Sequence, residues 1–138
     1  MARIKHVALT VHDPAKTARF YMDTFGLTEV RRDPDNKSVV LSDGHVNLTI
    51  LCWRTGTDIG QRGRPSDYVS KIHHIGFQVE DLDATISKLE ATTASPLTKR
   101  PEAGTSHGSG GSRNVEMKWA SPDDTVLDIS QSGWDGAP

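Results

Sequence analysis

Two stretches of the chain alternate between apolar residues and residues of other types, which is the period of a β-strand with one buried face. Their apolar positions are Val7, Leu9 and Val11 in the first stretch, and Ile75, Phe77 and Val79 in the second. The positions between them are His6, Ala8 and Thr10, and His74, Gly76 and Gln78. The apolar face of each strand needs a helix to cover it. The other face combines imidazoles with small residues, so we expect it to border a cavity.

These two stretches are copies of one another, displaced by 68 residues along the chain. The identical pairs are Ile4 and Ile72, His6 and His74, Val11 and Val79, Asp13 and Asp81, and Thr17 and Thr85. An internal repeat of this kind predicts that one supersecondary unit occurs twice.

A helix is predicted after each of the two strands. Asp13 is a suitable N-cap, Pro14 suits the first helical position, and Gly26 marks the end of the first helix. Asp81 caps the second helix in the same way. Three- and four-residue spacing predicts that the buried stripes of the helices are Ala18, Tyr21, Met22 and Phe25, and Leu82, Ile86 and Leu89.

Three more strands are predicted after each helix. They lie at about 28–32, 38–41 and 46–53 in the first half, and at about 97–99, 114–120 and 126–130 in the second half. Each half therefore reads βαβββ, which is an α+β architecture. We expect a single domain, 1–138, made of module 3–54 and module 71–132 and joined by the loop 54–70.

Composition and charge narrow the function classes. The 138 residues suffice for one compact domain. With 16 basic and 18 acidic side chains the net charge is −2, which gives no one-sided positive field for nucleic acid. No apolar run approaches the roughly 20 residues of a membrane span. Cys52 is the only cysteine and no apolar signal segment is evident near Met1, so we expect a reducing, cytoplasmic location.

Polar residues at repeat-equivalent positions form a candidate site. His6 and His74 occupy the same place in the two first strands, and a pseudo-two-fold axis would let them face each other across a cleft. In the last strands, Asn47 is the counterpart of Asp128. A carboxylate among the apolar neighbours of Asp128 is costly unless a positive charge compensates it, and a divalent cation would do so. The alternative is a hydrogen-bonded polar pocket that binds its ligand without metal.

The candidate ligands His6, His74 and Asp128 form a set of two imidazoles and one carboxylate, which leaves coordination positions open to substrate. This set does not distinguish Fe, Mn, Zn, Ni and Co. We expect polar side chains on the same strand faces to bind the substrate, and two tryptophans to form apolar walls at the rim. These substrate-binding candidates are Thr10, Asn47, Thr49, Gln78, Ser130, Trp53 and Trp119.

Four segments together resemble the vicinal oxygen chelate superfamily of glyoxalases, bleomycin-resistance proteins and extradiol dioxygenases. They are 4–13 (IKHVALTVHD), Phe20-Tyr21 with Phe25-Gly26-Leu27, 74–81 (HIGFQVED) and 121–129 (SPDDTVLDI). The resemblance implies paired βαβββ modules curled into an open, barrel-like cleft with the helices outside. It also implies a divalent metal held by the first and last strands, with His6, His74 and Asp128 in the ligand places, and a homodimer.

The chain departs from the pattern of that superfamily at three points. Asp128 stands where glutamate is usual, and Asn47 where glyoxalases and epimerases place Glu or Gln. The usual Asp-Pro-Asp-Gly turn is replaced by the residues 121–124, Ser-Pro-Asp-Asp. Because Asn47 is no carboxylate base, this position argues against proton-shuttling chemistry.

The resemblance leaves two functions open, since one fold hosts many chemistries. The first is a metal-dependent enzyme of the glyoxalase, dioxygenase or lyase type, acting on a small, oxygen-rich organic substrate that chelates the metal. The second is a metal-independent protein that binds a small molecule or an antibiotic, as bleomycin-resistance proteins do.

Overall fold

The computed structural model describes residues 1–52, 71–98 and 116–138. Each half has the predicted βαβββ order. The first half contains β1 (Arg3–Val11), α1 (Pro14–Phe25), β2 (Thr28–Arg32), β3 (Ser38–Ser42) and β4 (Asn47–Cys52). The second half contains β5 (Lys71–Gln78), α2 (Leu82–Glu90), β6 (Ser95–Pro96), β7 (Glu116–Ala120) and β8 (Val126–Ser130).

All eight strands belong to one mixed sheet in the order β2-β3-β4-β1-β5-β8-β7-β6. The first strands of the two halves, β1 and β5, pair antiparallel at the centre, and each lies parallel to the last strand of its own half. The outer pairs are antiparallel. This open sheet with two helices confirms the expected α+β fold class.

The helix ends follow the predicted signals. The Asp13 carboxylate accepts a hydrogen bond from the Lys16 N–H at 3.0 Å, and Gly26 ends α1 with a φ of +71°. The Asp81 carboxylate accepts from the Ala84 N–H at 2.9 Å at the start of α2. The predicted stripe of α1 is wrong at one position, because Phe25 is 63% exposed.

The apolar core lies between the sheet and the helices in two clusters, one for each half. The cluster beneath α1 contains Val11, Ala18, Val39, Leu41 and Ile50, and the cluster beneath α2 contains Val79, Ile86, Met117, Trp119 and Ile129. Because strand side chains alternate between faces, the residues between these core positions lie on the opposite face of the sheet. That face carries the candidate site.

One predicted strand differs from the structure in its position. The strand expected at 97–99 is β6 instead, two residues earlier, although the Leu97 N–H still donates to the Lys118 carbonyl at 2.8 Å. The loop 54–70 and the start of the strand expected at 114–120 lie outside the described residues. In the described part of the chain, neither helix has the length and apolar character that crossing a membrane requires.

Candidate metal centre

A row of neighbouring positions crosses the sheet from β4 to β7. Strand register pairs Asn47 with His6, His6 with Gly76, Gly76 with Asp128, and Asp128 with Lys118. The sheet order therefore places these residues side by side on one face, although they are far apart in sequence.

The structure brings together the three candidate ligands. His6 Nε2 lies 2.8 Å from His74 Nε2, and His74 Nε2 lies 3.2 Å from Asp128 Oδ2. One ligand atom from each of the three residues lies within 4.8 Å of the others, and all three residues are buried. These three residues form a possible metal site, which we call the triad.

Asn47 determines which nitrogen of His6 faces the triad. The Asn47 Nδ2 donates to the Asp135 carbonyl at 2.8 Å, and its Oδ1 accepts from the Thr49 hydroxyl at 2.7 Å. The same Oδ1 lies 2.7 Å from His6 Nδ1, so this nitrogen must carry the hydrogen. In neutral His6 the lone pair is then on Nε2, pointing at the triad, which is the orientation that ligating histidines are given by their neighbours.

A β-bulge supplies the partner of His74. Ala8 pairs with His74 and Leu9 pairs with Ile72, so His73 is an extra residue in β5. A bulge re-aims side chains that would otherwise point to opposite faces. His73 Nδ1 therefore lies 2.7 Å from His74 Nδ1. Strict alternation along β5 would put His73 and His74 on opposite faces of the sheet, and the bulge is the reason that their rings meet.

Burial keeps both imidazoles of the triad neutral. Desolvation lowers the pKa of His6 to about 4, although the hydrogen bond to Asn47 and the charge of Asp128 oppose it. Desolvation also lowers the pKa of His74 well below its usual value, and the positive charge of Lys118 acts in the same direction. Neutral imidazole is the form that binds metals.

Lys118 compensates the buried charge of Asp128. The side chain of Asp128 is fully buried, and Lys118 Nζ donates to its two oxygens at 2.5 and 2.6 Å. A buried carboxylate needs such a partner. The sequence pattern does not single out Lys118, because it identifies the need for a positive charge beside Asp128 but assigns it to a metal ion.

Trp134 and Glu116 close one side of the triad. The Trp134 ring stacks on the His6 ring at a centroid distance of 4.9 Å and an angle of 5°, and its Nε1 donates to Glu116 Oε1 at 2.7 Å. Burial and the charge of Asp128 raise the pKa of Glu116 to about 7. A Cβ at Gly76 would lie 2.7 Å from His6 Cβ and 2.8 Å from the Trp134 ring, so this close packing requires glycine.

The predicted substrate-binding residues fall into three groups. Thr10, Asn47, Thr49, Gln78 and Ser130 lie on strand positions that share the face of the triad. Trp119 packs in the core beneath α2 rather than on a cavity wall, because it is adjacent to Lys118 on β7 and faces the other side. Trp53 lies outside the described residues.

The donor set of the triad fits a divalent cation. In the metal-free protein, a hydrogen on His74 Nε2 can be donated to His6 Nε2 and to Asp128 Oδ2. When His74 carries its hydrogen on Nδ1 instead, His73 Nδ1 is in position to accept it. Three lone-pair atoms then face one another, and a cation satisfies all of them.

Comparison with known proteins identifies the same architecture. A family model described as the Glyoxalase/Bleomycin resistance protein/Dioxygenase superfamily matches residues 3–111. A search of curated proteins finds no match.

Solved structures with similar folds share little sequence with this chain. A methylmalonyl-CoA epimerase in complex with methylmalonyl-CoA and ammonium is 17% identical, with a TM-score of 0.68 and 94% of each chain covered. A methylmalonyl-CoA epimerase from Mycobacterium tuberculosis is 16% identical, with a TM-score of 0.67, and the match covers 92% of this chain and 85% of that one. The 2,3-dioxygenase LapB from Pseudomonas sp. KL28 is 18% identical, with a TM-score of 0.65, covering 98% of this chain and 42% of that one.

Proposed function

We propose a function from one premise: the chain belongs to the Glyoxalase/Bleomycin resistance protein/Dioxygenase superfamily. We infer that it is a metal-dependent enzyme of the glyoxalase, dioxygenase or lyase type. Its substrate is a small, oxygen-rich organic molecule that chelates a divalent ion held by His6, His74 and Asp128.

The observation that carries this proposal is that three buried residues bring their ligand atoms close together. Two of these residues are histidines, and both of their imidazoles are neutral. Asn47 and His73 hold the two rings from their outer nitrogens, which is what partners of ligating histidines do. Three protein ligands leave positions open for substrate.

When bound, the ion would supply Lewis-acid polarisation of a substrate oxygen. The chain itself would orient the substrate through the polar side chains of Thr10, Thr49, Gln78 and Ser130, on the face of the triad. Trp134 would exclude water from the side of His6 on which it stacks.

A metal titration tests the proposal. Protein stripped with a chelator is titrated with Co²⁺ and with Fe²⁺ under anaerobic conditions, and bound metal is measured by elemental analysis. We expect about one equivalent per chain, and loss of binding in His6→Ala and His74→Ala. His45→Ala, which changes an exposed histidine, is the matched control and retains the metal. Wild-type protein without metal under all these conditions overturns the proposal.

Methylmalonyl-CoA is the first substrate to assay, because a fold neighbour was solved in complex with it. Asn47 offers no carboxylate for proton transfer, although the structure places the Glu116 carboxyl beside Asp128. Metal-dependent turnover that disappears in His74→Ala supports an enzyme.

One observation favours the second candidate, a metal-independent protein that binds a small molecule or an antibiotic. The ammonium of Lys118 already neutralises Asp128, so the buried charge is compensated without a metal. Calorimetry in the presence of excess chelator separates the two candidates, because only the binding protein retains its ligand there.

We also propose a cytoplasmic homodimer. Among the described residues, the outer strands β2 and β6 leave sheet edges that a second copy can cover. The lone Cys52 is a free thiol, as in reducing compartments. Light scattering coupled to size exclusion tests the dimer, and a monomeric mass at assay concentrations contradicts it.

A further inference from the structure

The segment 134–138, which we call the strap, follows β8 and crosses the face of the first half that carries the triad. It is not one of the eight strands of the sheet. Side chains from three strands hold the strap by donating hydrogen bonds to its backbone carbonyls. The pairs are Lys5 of β1 with Pro138 at 2.5 Å, Ser42 of β3 with Gly136 at 2.5 Å, and Asn47 of β4 with Asp135 at 2.8 Å.

The inner side of the strap lies against the protein and its outer side lies in solvent. Trp134 stacks on His6 and donates to Glu116, and Ala137 is buried. Asp135, Gly136 and Pro138 are exposed. The Ala137 N–H donates to the Trp134 carbonyl at 3.1 Å, which closes a turn inside the strap. The strap is therefore a short unit with its own turn, laid over the site from outside.

The burial of the triad means that some part of the protein has to move before a ligand reaches it. His6, His74 and Asp128 are all buried. The strands that carry them are joined by backbone ladders, so separating these strands would break the sheet. In the described part of the chain, the strap would give up only side-chain hydrogen bonds and the packing of Trp134 and Ala137. Segments with few buried contacts are the ones that open at low free energy.

We propose that the strap is a gate of the triad. It opens as a unit while the sheet stays folded, and its open state admits a metal ion or a small ligand to His6, His74 and Asp128. The closed state is autoinhibitory, because Trp134 occupies the space beside His6. This inference goes beyond the proposed function, since it concerns access to the triad rather than the chemistry there.

One substitution loosens the strap without touching the triad. A Cβ at Gly136 would lie 2.8 Å from Val30 Cγ2 and 2.9 Å from Ser42 Cβ, and the φ of +75° disfavours any side chain. Val30 and Ser42 lie on β2 and β3, at the outer end of the first half. Gly136→Ala can therefore affect the triad only by moving the strap. Gly26→Ala is the matched control, because Gly26 has a φ of +71° and an added Cβ meets nothing within 4 Å.

The test measures access to the triad in metal-free protein. Diethyl pyrocarbonate acylates accessible imidazoles, and mass spectrometry gives the rate of modification at each histidine. The exposed His12 is an internal reference, since it shares the tryptic peptide 6–16 with His6. Ser42→Ala, which removes the hydroxyl that donates to the Gly136 carbonyl, is a second and milder variant that decides the question if Gly136→Ala does not fold.

We expect Gly136→Ala to speed the modification of His6 and His74 by about 10- to 100-fold, because overpacking raises the population of the open state. Ser42→Ala should speed it by about 3- to 10-fold. The rate at His12 should not change in either variant, and Gly26→Ala should behave like the wild type. Low concentrations of urea should have little effect on the rate at His6, because opening the strap exposes little surface.

Three results would overturn the gate. They are unchanged rates at His6 and His74 in both strap variants, an equal rise in Gly26→Ala, and a urea dependence as steep as that of global unfolding. Stopped-flow uptake of Co²⁺ should accelerate by the same factor as the modification of His6, because both processes need the open state. A wild-type protein that takes up no Co²⁺ would contradict the proposed function, whereas the modification rates of the metal-free protein would still decide the role of the strap.

Discussion

The two halves of the sheet share one topology but supply unlike groups to the candidate site. The first half supplies His6 and Asn47, an imidazole and the neutral amide that orients it. The second half supplies His74 together with the ion pair of Asp128 and Lys118. Along the row that crosses the sheet, both formal charges therefore lie in the second half.

This difference shows what a duplicated fold preserves and what it leaves free to change. The repeat preserves strand positions, so two imidazoles meet at the centre of the sheet. The registers are not identical, since His6 pairs with Asn47 whereas Asp128 pairs with Gly76 rather than with His74. The first half holds an imidazole in place through a neutral amide, and the second half carries the buried ion pair of Asp128 and Lys118.

The largest expected effect comes from removing the negative charge of Asp128 in the second half. In metal-free protein, Asp128→Asn leaves Lys118 without its partner, and breaking a buried pair in this way lowers the free energy of unfolding by about 3 to 5 kcal/mol. Asn47→Ala, the matched change in the first half, removes neutral hydrogen bonds and should cost about 1 to 3 kcal/mol. Urea unfolding measures both, and an equal or larger cost for Asn47→Ala contradicts the asymmetry.

A second variant tests the close packing at the centre of the row. Gly76→Ala puts a Cβ against His6 and the Trp134 ring, and we expect a loss of about 2 to 3 kcal/mol from overpacking. Urea unfolding followed by circular dichroism measures the loss. In a Trp134→Ala background the same change should cost less, because one of the two obstacles is gone. A cost that does not depend on Trp134 would show that this ring is not held where the structure places it.

Acid should destabilise the metal-free protein. Unfolded histidine takes up a proton near pH 6.5, whereas folded His6 does so only near its pKa of about 4. The unfolded chain binds more protons between these values, so stability is fully present above pH 6.5 and falls as the pH drops toward 4. Between pH 7 and pH 5 we expect His6 alone to lower the free energy of unfolding by about 2 kcal/mol. His74 should lower it further. Urea unfolding of His6→Asn should show a shallower pH dependence, and an equally steep one would assign the effect to other groups.

The smallest expected effect compares the last turn of each half. The turn before β4 has Gly44 at a φ of +89°, whereas the turn before β8 has Asp124 at a φ of +64°, a conformation that costs a residue with a Cβ. Asp124→Gly should therefore stabilise the protein by about 0.5 kcal/mol, measured as a rise in the urea midpoint. Gly44→Asp should shift the midpoint the other way. A loss of stability in Asp124→Gly contradicts the strain at this turn.

The fold and the triad were predictable because both follow from periodic signals. Alternation and the internal repeat define the two first strands, and they place His6 and His74 on one face of the sheet. Asp128 follows from its apolar neighbours, among which a carboxylate needs compensation.

Other parts of the site depend on details that periodicity does not carry. The bulge at His73 inserts one residue, which no hydrophobic pattern reveals. Trp134 follows the last strand, where alternation no longer indicates which way a side chain points, although the offset that matches Asn47 with Asp128 also matches Trp53 with Trp134. Lys118 was open to prediction, because it lies as far before Asp123 as Asp128 lies after it, so a hairpin turning there pairs the two residues. The same hairpin turns the neighbouring Trp119 toward the core.

The central claim is that His6, His74 and Asp128 hold one cation, and X-ray absorption spectroscopy of protein loaded with one equivalent of Zn²⁺ tests it most directly. We expect a first shell of nitrogen and oxygen alone at about 2.0 to 2.2 Å, with the outer-shell scattering of two imidazoles. That scattering should fall to one imidazole or disappear in His74→Ala. A sulfur neighbour at about 2.3 Å, or a wild-type spectrum without imidazole scattering, would contradict the claim.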